Sequence, residues 1–371
     1  MSETAERIES KELALKEVHS LYGASFREED GWRVPANYGD AGSEYRAVRN
    51  DGGGLIDLSP RGRIHVTGSE ALMFLNGLVT NDMKTLGEDR WMLAVFPNVQ
   101  GRILAAVRIV RTADGFLIDT EPATHERVLK TIERFTLAGD FKVADITAST
   151  VMLTVQGSAA ADVVATFVGA EVTLDRNGAR QLEWRDQALT LLRATHTAED
   201  GFDLIAPREN ATALWDMLVE AEAHPTGYDA FERLRIEAGI PRFGRDMDET
   251  TVVTETNLDD AVSYTKGCYV GQEIIVRIKH RGHVAKKLAG LVLEKETAIE
   301  PGAAVKSEAG ADIGRITSAT FSPTLDRTVA IAYLKYEFLS AGTMVKVNSS
   351  EGELSATVSE LPLVRGSWYR D

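Results

Sequence analysis

Lys266-Gly267-Cys268-Tyr269-Val270-Gly271-Gln272-Glu273 lies in a stretch that starts at Tyr264 and ends in a basic run, Arg277-Ile278-Lys279-His280-Arg281-Gly282-His283-Val284-Ala285-Lys286-Lys287. Cys268 is the sole cysteine of the chain, set between Gly267 and Gly271, with Lys266 two residues before it. Glycines let a backbone turn sharply or approach a ligand closely. A neighbouring ammonium favours the thiolate. Two readings of Cys268 stay open: a working thiolate whose pKa Lys266 depresses, or a small apolar side chain buried in a core, the usual fate of a free cysteine. In the basic run Arg277, Lys279, His280, Arg281, His283, Lys286 and Lys287 follow one another with no acidic residue among them. Such a field suits carboxylates, phosphates or RNA. It is equally compatible with a solvated face or with pairing to acidic surface elsewhere. Cys268, His280 and His283 amount to three ligands without a second cysteine pair, so no metal is expected.

The basic run stands against an acidic background of 41 Lys+Arg and 56 Asp+Glu, a net charge of −15. That balance argues against broad nucleic-acid or anionic-lipid binding. With 44% hydrophobic and 26% charged residues the chain excludes a disordered, collagenous or rod-like protein. Its 371 residues predict two or three domains, and no run approaches the roughly 18 apolar residues of a membrane span. A single cysteine forbids an intrachain disulfide and fits a reducing compartment. Met1-Ser2-Glu3-Thr4-Ala5-Glu6 carries acidic residues and no apolar segment, so cytoplasm is the expected location.

Working outward, an α and β rhythm occupies the chain before the cysteine. Residues 4–22 predict a helix ending at Gly23, and 27–54 an irregular connector. Strands are expected at 63–67, 91–96, 102–110 and 115–120, with helices after Ser69 and over 125–137. The rhythm recurs with strands at 151–156, 189–194 and 202–206 and helices at 158–168, 209–223 and 228–238. Residues 240–285 read as charged and loop-rich. Beyond 286 the helical period disappears, and short β-prone runs separated by Gly, Pro, Asn and Ser predict a small barrel or sandwich. The expected organisation is an N-terminal helix and connector (1–45), a first α/β unit (46–145), a second α/β unit with the cysteine loop (146–285) and a β domain (286–371). No HExxH, GxSxG or P-loop pattern is present. The histidines at 19, 65, 125, 196 and 224 are scattered and read as structural or surface residues.

The octapeptide Lys266–Glu273 resembles the K-G-C-Y-x-G-Q-E signature of the folate-binding YgfZ family. That family is related to the glycine cleavage T-protein, an aminomethyltransferase, and to mitochondrial iron–sulfur assembly factors. Weaker T-protein-like echoes are Gly54-Leu55-Ile56-Asp57-Leu58-Ser59, Gly68 to Asn81, Val155-Gln156-Gly157, Glu199-Asp200-Gly201-Phe202-Asp203 and Leu234-Arg235-Ile236-Glu237-Ala238-Gly239. The resemblance implies an α+β T-protein-like fold, with two α/β units and a C-terminal β-barrel around a central channel that binds tetrahydrofolate. It implies that Glu199 holds the pterin ring, with Asp246 a further cofactor-binding candidate. Cys268 would be the working thiolate, and Gly267, Tyr269, Gly271, Gln272 and Glu273 would shape or orient the loop or the folate. The implied function is a folate-binding accessory protein for iron–sulfur cluster assembly or repair, serving enzymes such as tRNA-modifying ones. Its partners would be folate and iron–sulfur client or assembly proteins. The alternative is a folate-dependent aminomethyl- or methyltransferase. One departure bears on that choice. T-proteins carry an aspartate pair after a G-x-I-x pattern, and here Gly101-Arg102-Ile103-Leu104 leads to Ala105-Ala106. Alanine can neither accept a proton nor polarise an amine. A second departure is His196, where the family has tyrosine.

Overall fold

The computed structural model describes residues 10–50, 52–134, 139–280 and 282–370. Residues 4–9, Phe135–Leu137 and Arg281, on which parts of the expected helices and of the basic run fall, lie outside them.

The chain opens with β1 (Lys11–Glu12), α1 (Lys16–Leu21), β2 (Ser25–Glu29), β3 (Trp32–Asn37) and α2 (Ala41–Arg49). This corrects the expected long helix and irregular connector. Lys11 and Glu12 pair in parallel with Trp32 and Arg33, so α1 has only six residues. Asp30 and Gly31, both at positive φ, turn β2 back on β3. Asp40 starts α2 by accepting from the amides of Gly42 (2.9 Å) and Ser43 (3.1 Å). Tyr45 and Val48 on that helix are buried.

Next come β4 (Gly54–Asp57), β5 (Gly62–Thr67), α3 (Ala71–Leu78), β6 (Trp91–Pro97), β7 (Ile103–Thr112), β8 (Gly115–Thr120), α4 (His125–Glu133) and β9 (Lys142–Asp145). They are followed by β10 (Thr150–Gln156), α5 (Ala160–Val168), β11 (Ala179–Trp184), β12 (Gln187–Arg193), β13 (Gly201–Pro207), α6 (Ala211–Glu220), β14 (His224–Pro225) and α7 (Tyr228–Glu237). The first unit is a five-stranded sheet in the order β6-β7-β8-β5-β9. The second is a six-stranded sheet, β11-β12-β13-β10-β4-β14. β4 thus pairs with β10 although it precedes the whole first unit, so the two units are threaded through each other. Helices α3 and α4 cover one sheet, and α5 and α6 cover the other. The inner faces meet through Ile56, Leu58, Trp91, Val110, Leu117, Met152 and Ile205. Strands buried on both sides lose the alternation of a half-exposed sheet and read as continuous apolar runs.

After a long irregular segment, α8 (Gln272–His280) leads to β15 (Lys286–Leu293), β16 (Ala304–Ser307), β17 (Asp312–Ser322), β18 (Arg327–Lys335), β19 (Met344–Ser349) and β20 (Gly352–Ser359). These six strands form a closed barrel. Alternate residues such as Leu291, Leu293, Ala330, Ala332 and Leu334 fill it. The opposite face of β18, with Ile331 and Tyr333, packs on Ile236 of α7. The architecture is therefore two α/β units and a C-terminal β-barrel, as expected. Among the described residues no helix is long and apolar enough to cross a membrane.

Candidate functional site

A cavity of about 570 Å³ opens where the three units meet. This volume lies within the range of small-molecule sites. Its walls come from several separate parts of the chain. β6 and β7 supply Trp91, Leu93, Ala106 and Arg108; the second unit supplies Thr195 and His196. The segment after α7 supplies Ile240, Pro241, Met247 and Leu258, and the tail after the barrel supplies Leu361, Pro362, Trp368 and Tyr369.

The polar side of this cavity is one connected chain of charges. His196 Nε2 lies 3.0 Å from Asp203 Oδ1, and Arg108 Nη1 donates to Asp203 Oδ2 at 2.6 Å. Arg108 Nε donates to Asp119 at 2.6 Å, and Arg61 grips the same carboxylate at 2.7 and 2.9 Å. Arg61 also donates to Glu121 at 2.8 Å. Burial alone would raise the Asp203 carboxyl, but His196 and Arg108 outweigh it and hold it well below the usual carboxylate range. Burial likewise raises Asp119, and Arg108 and Arg61 bring it down. Arg108 Nη2 is buried and has no partner among the described residues. The guanidinium lies 5.4 Å from the Trp91 ring centroid.

The signature loop sits elsewhere. No residue from Lys266 to Glu273 lines this cavity. The loop packs on the β6–β7 hairpin tip, where a Cβ on Gly271 (φ +74°) would come within 2.3 Å of the Asn98 carbonyl oxygen. That contact explains the glycine. The tip is five residues along β6 from Leu93, about 16 Å at the rise of an extended strand. Gly267, Tyr269, Gly271, Gln272 and Glu273, expected to shape the loop or contact the folate, are therefore not among the residues that line this cavity. Tyr269 is buried and its hydroxyl is pushed up to about 12 by that burial. Gln272 Nε2 reaches the Lys266 carbonyl at 3.5 Å, and Glu273 is exposed. Cys268 is exposed rather than buried.

Lys266, expected beside the Cys268 thiol, directs its ammonium to α3. Its ammonium donates to the carbonyls of Asn76 (2.7 Å), Val79 (2.9 Å) and Asn81 (2.6 Å) at the end of α3. It closes a helix C-terminus, and burial pushes it down to about 8. Asp246, expected as a cofactor-binding candidate, is a buried junction. It accepts from Arg235, Thr317 Oγ1 (2.6 Å), Ser318 Oγ (2.7 Å) and the Arg242 amide (3.1 Å). Glu199 is buried, and both its oxygens are occupied: Arg49 donates to one at 2.8 Å, and the amide and hydroxyl of Ser367 to the other, each at 2.6 Å. Its place is behind the cavity wall, holding the tail that carries Trp368 and Tyr369.

The basic run divides. Arg277, Lys279 and His280 are exposed on α8, whereas Lys287 pairs with Asp259 at 3.2 Å and His283 stacks on Tyr336 at 3.9 Å. Among the described residues no three His, Cys, Asp or Glu side chains gather into a metal-holding group. Sequence reading missed Arg61, Arg108, Trp91 and Trp368. One signal was available for Arg108, a single charge inside the apolar run Ile103–Val110.

Two family models match the chain. The GCVT N-terminal domain covers residues 15–266, and the glycine cleavage T-protein C-terminal barrel domain covers 286–365. An aminomethyltransferase of Rubrobacter xylanophilus is 32% identical over 353 residues, spanning 95% of this chain and 93% of that protein. One from Thermotoga neapolitana is 30% identical, spanning 97% and 99%. The crystal structure of glycine cleavage system aminomethyltransferase T from Bartonella henselae superposes with a TM-score of 0.88 at 26% identity, over 96% of this chain and 98% of that one.

Proposed function

Because the chain belongs to the glycine cleavage T-protein family, we propose that it binds tetrahydrofolate between its three units and moves a one-carbon unit to or from it. Tetrahydrofolate is the one-carbon carrier of that family's aminomethyltransferases. The observation that carries the reading is the 570 Å³ cavity with aromatic walls and a guanidinium in its side. These residues fit a folate. Trp91, Trp368 and Tyr369 offer faces for a flat heterocycle and exclude water from it. Arg108 Nη2 is a buried donor in want of an acceptor, and a ring carbonyl or a carboxylate supplies one.

Glycine cleavage itself is the one-carbon reaction these residues support least. Ala105 is packed into the first unit's core, and Ala106 faces the cavity without an acid–base group. The reading therefore favours a methyl or aminomethyl donor whose protons are handled by another side chain. Calorimetric titration with tetrahydrofolate tests it. Saturation at one folate per chain, with quenching of tryptophan fluorescence, is the expected result. A flat titration defeats it.

A second reading rests on a different observation. Cys268 is exposed just before α8, whose outer surface carries Arg277, Lys279 and His280. That surface supports a YgfZ-type role, in which a folate-loaded protein presents its thiol to iron–sulfur assembly or client proteins. Cys268→Ser should then leave folate affinity unchanged while abolishing rescue of iron–sulfur enzyme activity in cells depleted of the protein. Full rescue by the variant rules this role out.

A further inference from the structure

His196 lines the cavity that Ala106 also lines, and it is held in one orientation by a buried carboxylate. Its side chain is 12% exposed, against 0% for Asp203. The contrast with other histidines in this chain is informative. His19 faces Asp57 at 3.0 Å, but its second nitrogen is bonded to Tyr38 at 2.8 Å, and the ring is fully buried. His125 faces Asp145 at 2.9 Å, and its second nitrogen meets Thr120 at 3.1 Å. Both pairs are closed. In His196 only Nε2 is engaged; Nδ1 has no hydrogen-bond partner among the described residues. An Nε2–H donated to Asp203 leaves Nδ1 as a free acceptor on a ring that lines the cavity.

The surroundings tie this ring to the place left empty of a carboxylate. Ala106 and Arg108 are two residues apart on β7 and so share a face. Arg108 Nη1 holds Asp203 from that face, and Asp203 holds His196. We propose that His196, oriented by Asp203, takes and returns the proton when a carbon unit passes between a heteroatom donor and a secondary amine of the folate. The inference rests on the folate reading above and assigns the acid–base group that reading lacks.

The step balances without an outside oxidant or reductant. As the amine nitrogen bonds the incoming carbon, its proton goes to Nδ1. The carbon–heteroatom bond breaks, and its electron pair stays on the departing heteroatom. The proton then passes from Nδ1 to that heteroatom, and the ring ends as it began. Asp203 remains ionised throughout and stabilises the imidazolium, as the carboxylate does in a hydrolase triad.

The test compares tetrahydrofolate, whose N5 carries a proton, with 5-methyltetrahydrofolate, whose N5 carries none. In the wild-type protein, nitrogen-15 spectra should show the Nδ1 resonance of His196 moving on saturation with the first compound and staying still with the second. Tetrahydrofolate should bind about fivefold tighter, the worth of one hydrogen bond. In His196→Gln, which keeps a donor toward Asp203, that preference should vanish. Both folates binding with Nδ1 unmoved overturns the proposal while leaving the folate reading intact. The spectra need only wild-type protein, so a variant that folds poorly does not remove the test. Failure of both folates to bind the wild type overturns the folate reading, and this inference with it.

Discussion

Asp246→Ala destabilises the protein by about 3–5 kcal/mol, the cost of removing one member of a buried charge pair. Asp246 is 1% exposed, and its carboxylate joins three parts of the chain. Arg235 reaches it from α7, Arg242 closes the turn behind it with its amide, and Thr317 and Ser318 reach it from β17 of the barrel. Without the carboxylate the Arg235 guanidinium keeps Glu232 and the Ile240 carbonyl. Thr317 keeps the Ile331 carbonyl. The lost partners therefore concentrate at the seam between barrel and α7. Urea unfolding followed by tryptophan fluorescence measures the change. Asp246→Asn, which retains an acceptor but not the charge, should lose less. A loss below about 1 kcal/mol for Asp246→Ala would show that the seam is held by the apolar contacts of Ile236, Ile331 and Tyr333 alone.

The second large effect is expected at Glu199→Ala, through the tail rather than through the ligand. The variant removes the acceptor for both the amide and the hydroxyl of Ser367. It also deprives Arg49 of one partner, although Arg49 keeps Glu237 at 2.8 Å. Hydrogen bonds to a charged group predict a loss of about 2–3 kcal/mol. The tail is fitted closely to this carboxylate. A Cβ at Gly366 would lie 2.4 Å from it. Trp368 donates its amide to the Ala198 carbonyl at 3.2 Å, and Arg176 lies 5.6 Å from the Trp368 ring centroid. Once the tail is released, the wall formed by Trp368 and Tyr369 loosens, and folate affinity should fall about tenfold or more. Thermal denaturation and a folate titration read the two effects separately. Reduced affinity with unchanged stability would place Glu199 against the ligand instead.

Both effects depend on contacts that sequence reading does not reach. Glu199 meets Ser367, 168 residues later, and Asp246 meets Ser318, 72 residues later. The same limit hid the path of β4, whose partner β10 lies beyond the entire first unit. Local signals were legible where one local interaction decides the structure. The barrel strands from 286 onward follow from alternation and turn residues. The helix–strand rhythm from residue 55 follows from apolar periodicity. The N-terminal region was misread because its hairpin turn at Asp30-Gly31 and the Asp40 cap are short signals within a polar stretch, and they were outweighed by its composition. Helix α8 was missed because its charges resemble a loop, although Ile275 on it is buried.

By itself, then, the sequence determined the helix–strand rhythm from residue 55, the barrel, the likeness to the glycine cleavage T-protein and the absence of a carboxylate at positions 105 and 106, since each of these is carried by neighbouring residues; it did not determine the narrower YgfZ assignment, the N-terminal elements or α8. Tertiary structure alone decided that the cysteine loop lies on the hairpin tip while the cavity is lined by Trp91, Arg108, His196 and Trp368. The reason is physical. Burial, ion pairing and access depend on which distant segments the packed sheets bring together, and a side chain's chemistry is set by those neighbours.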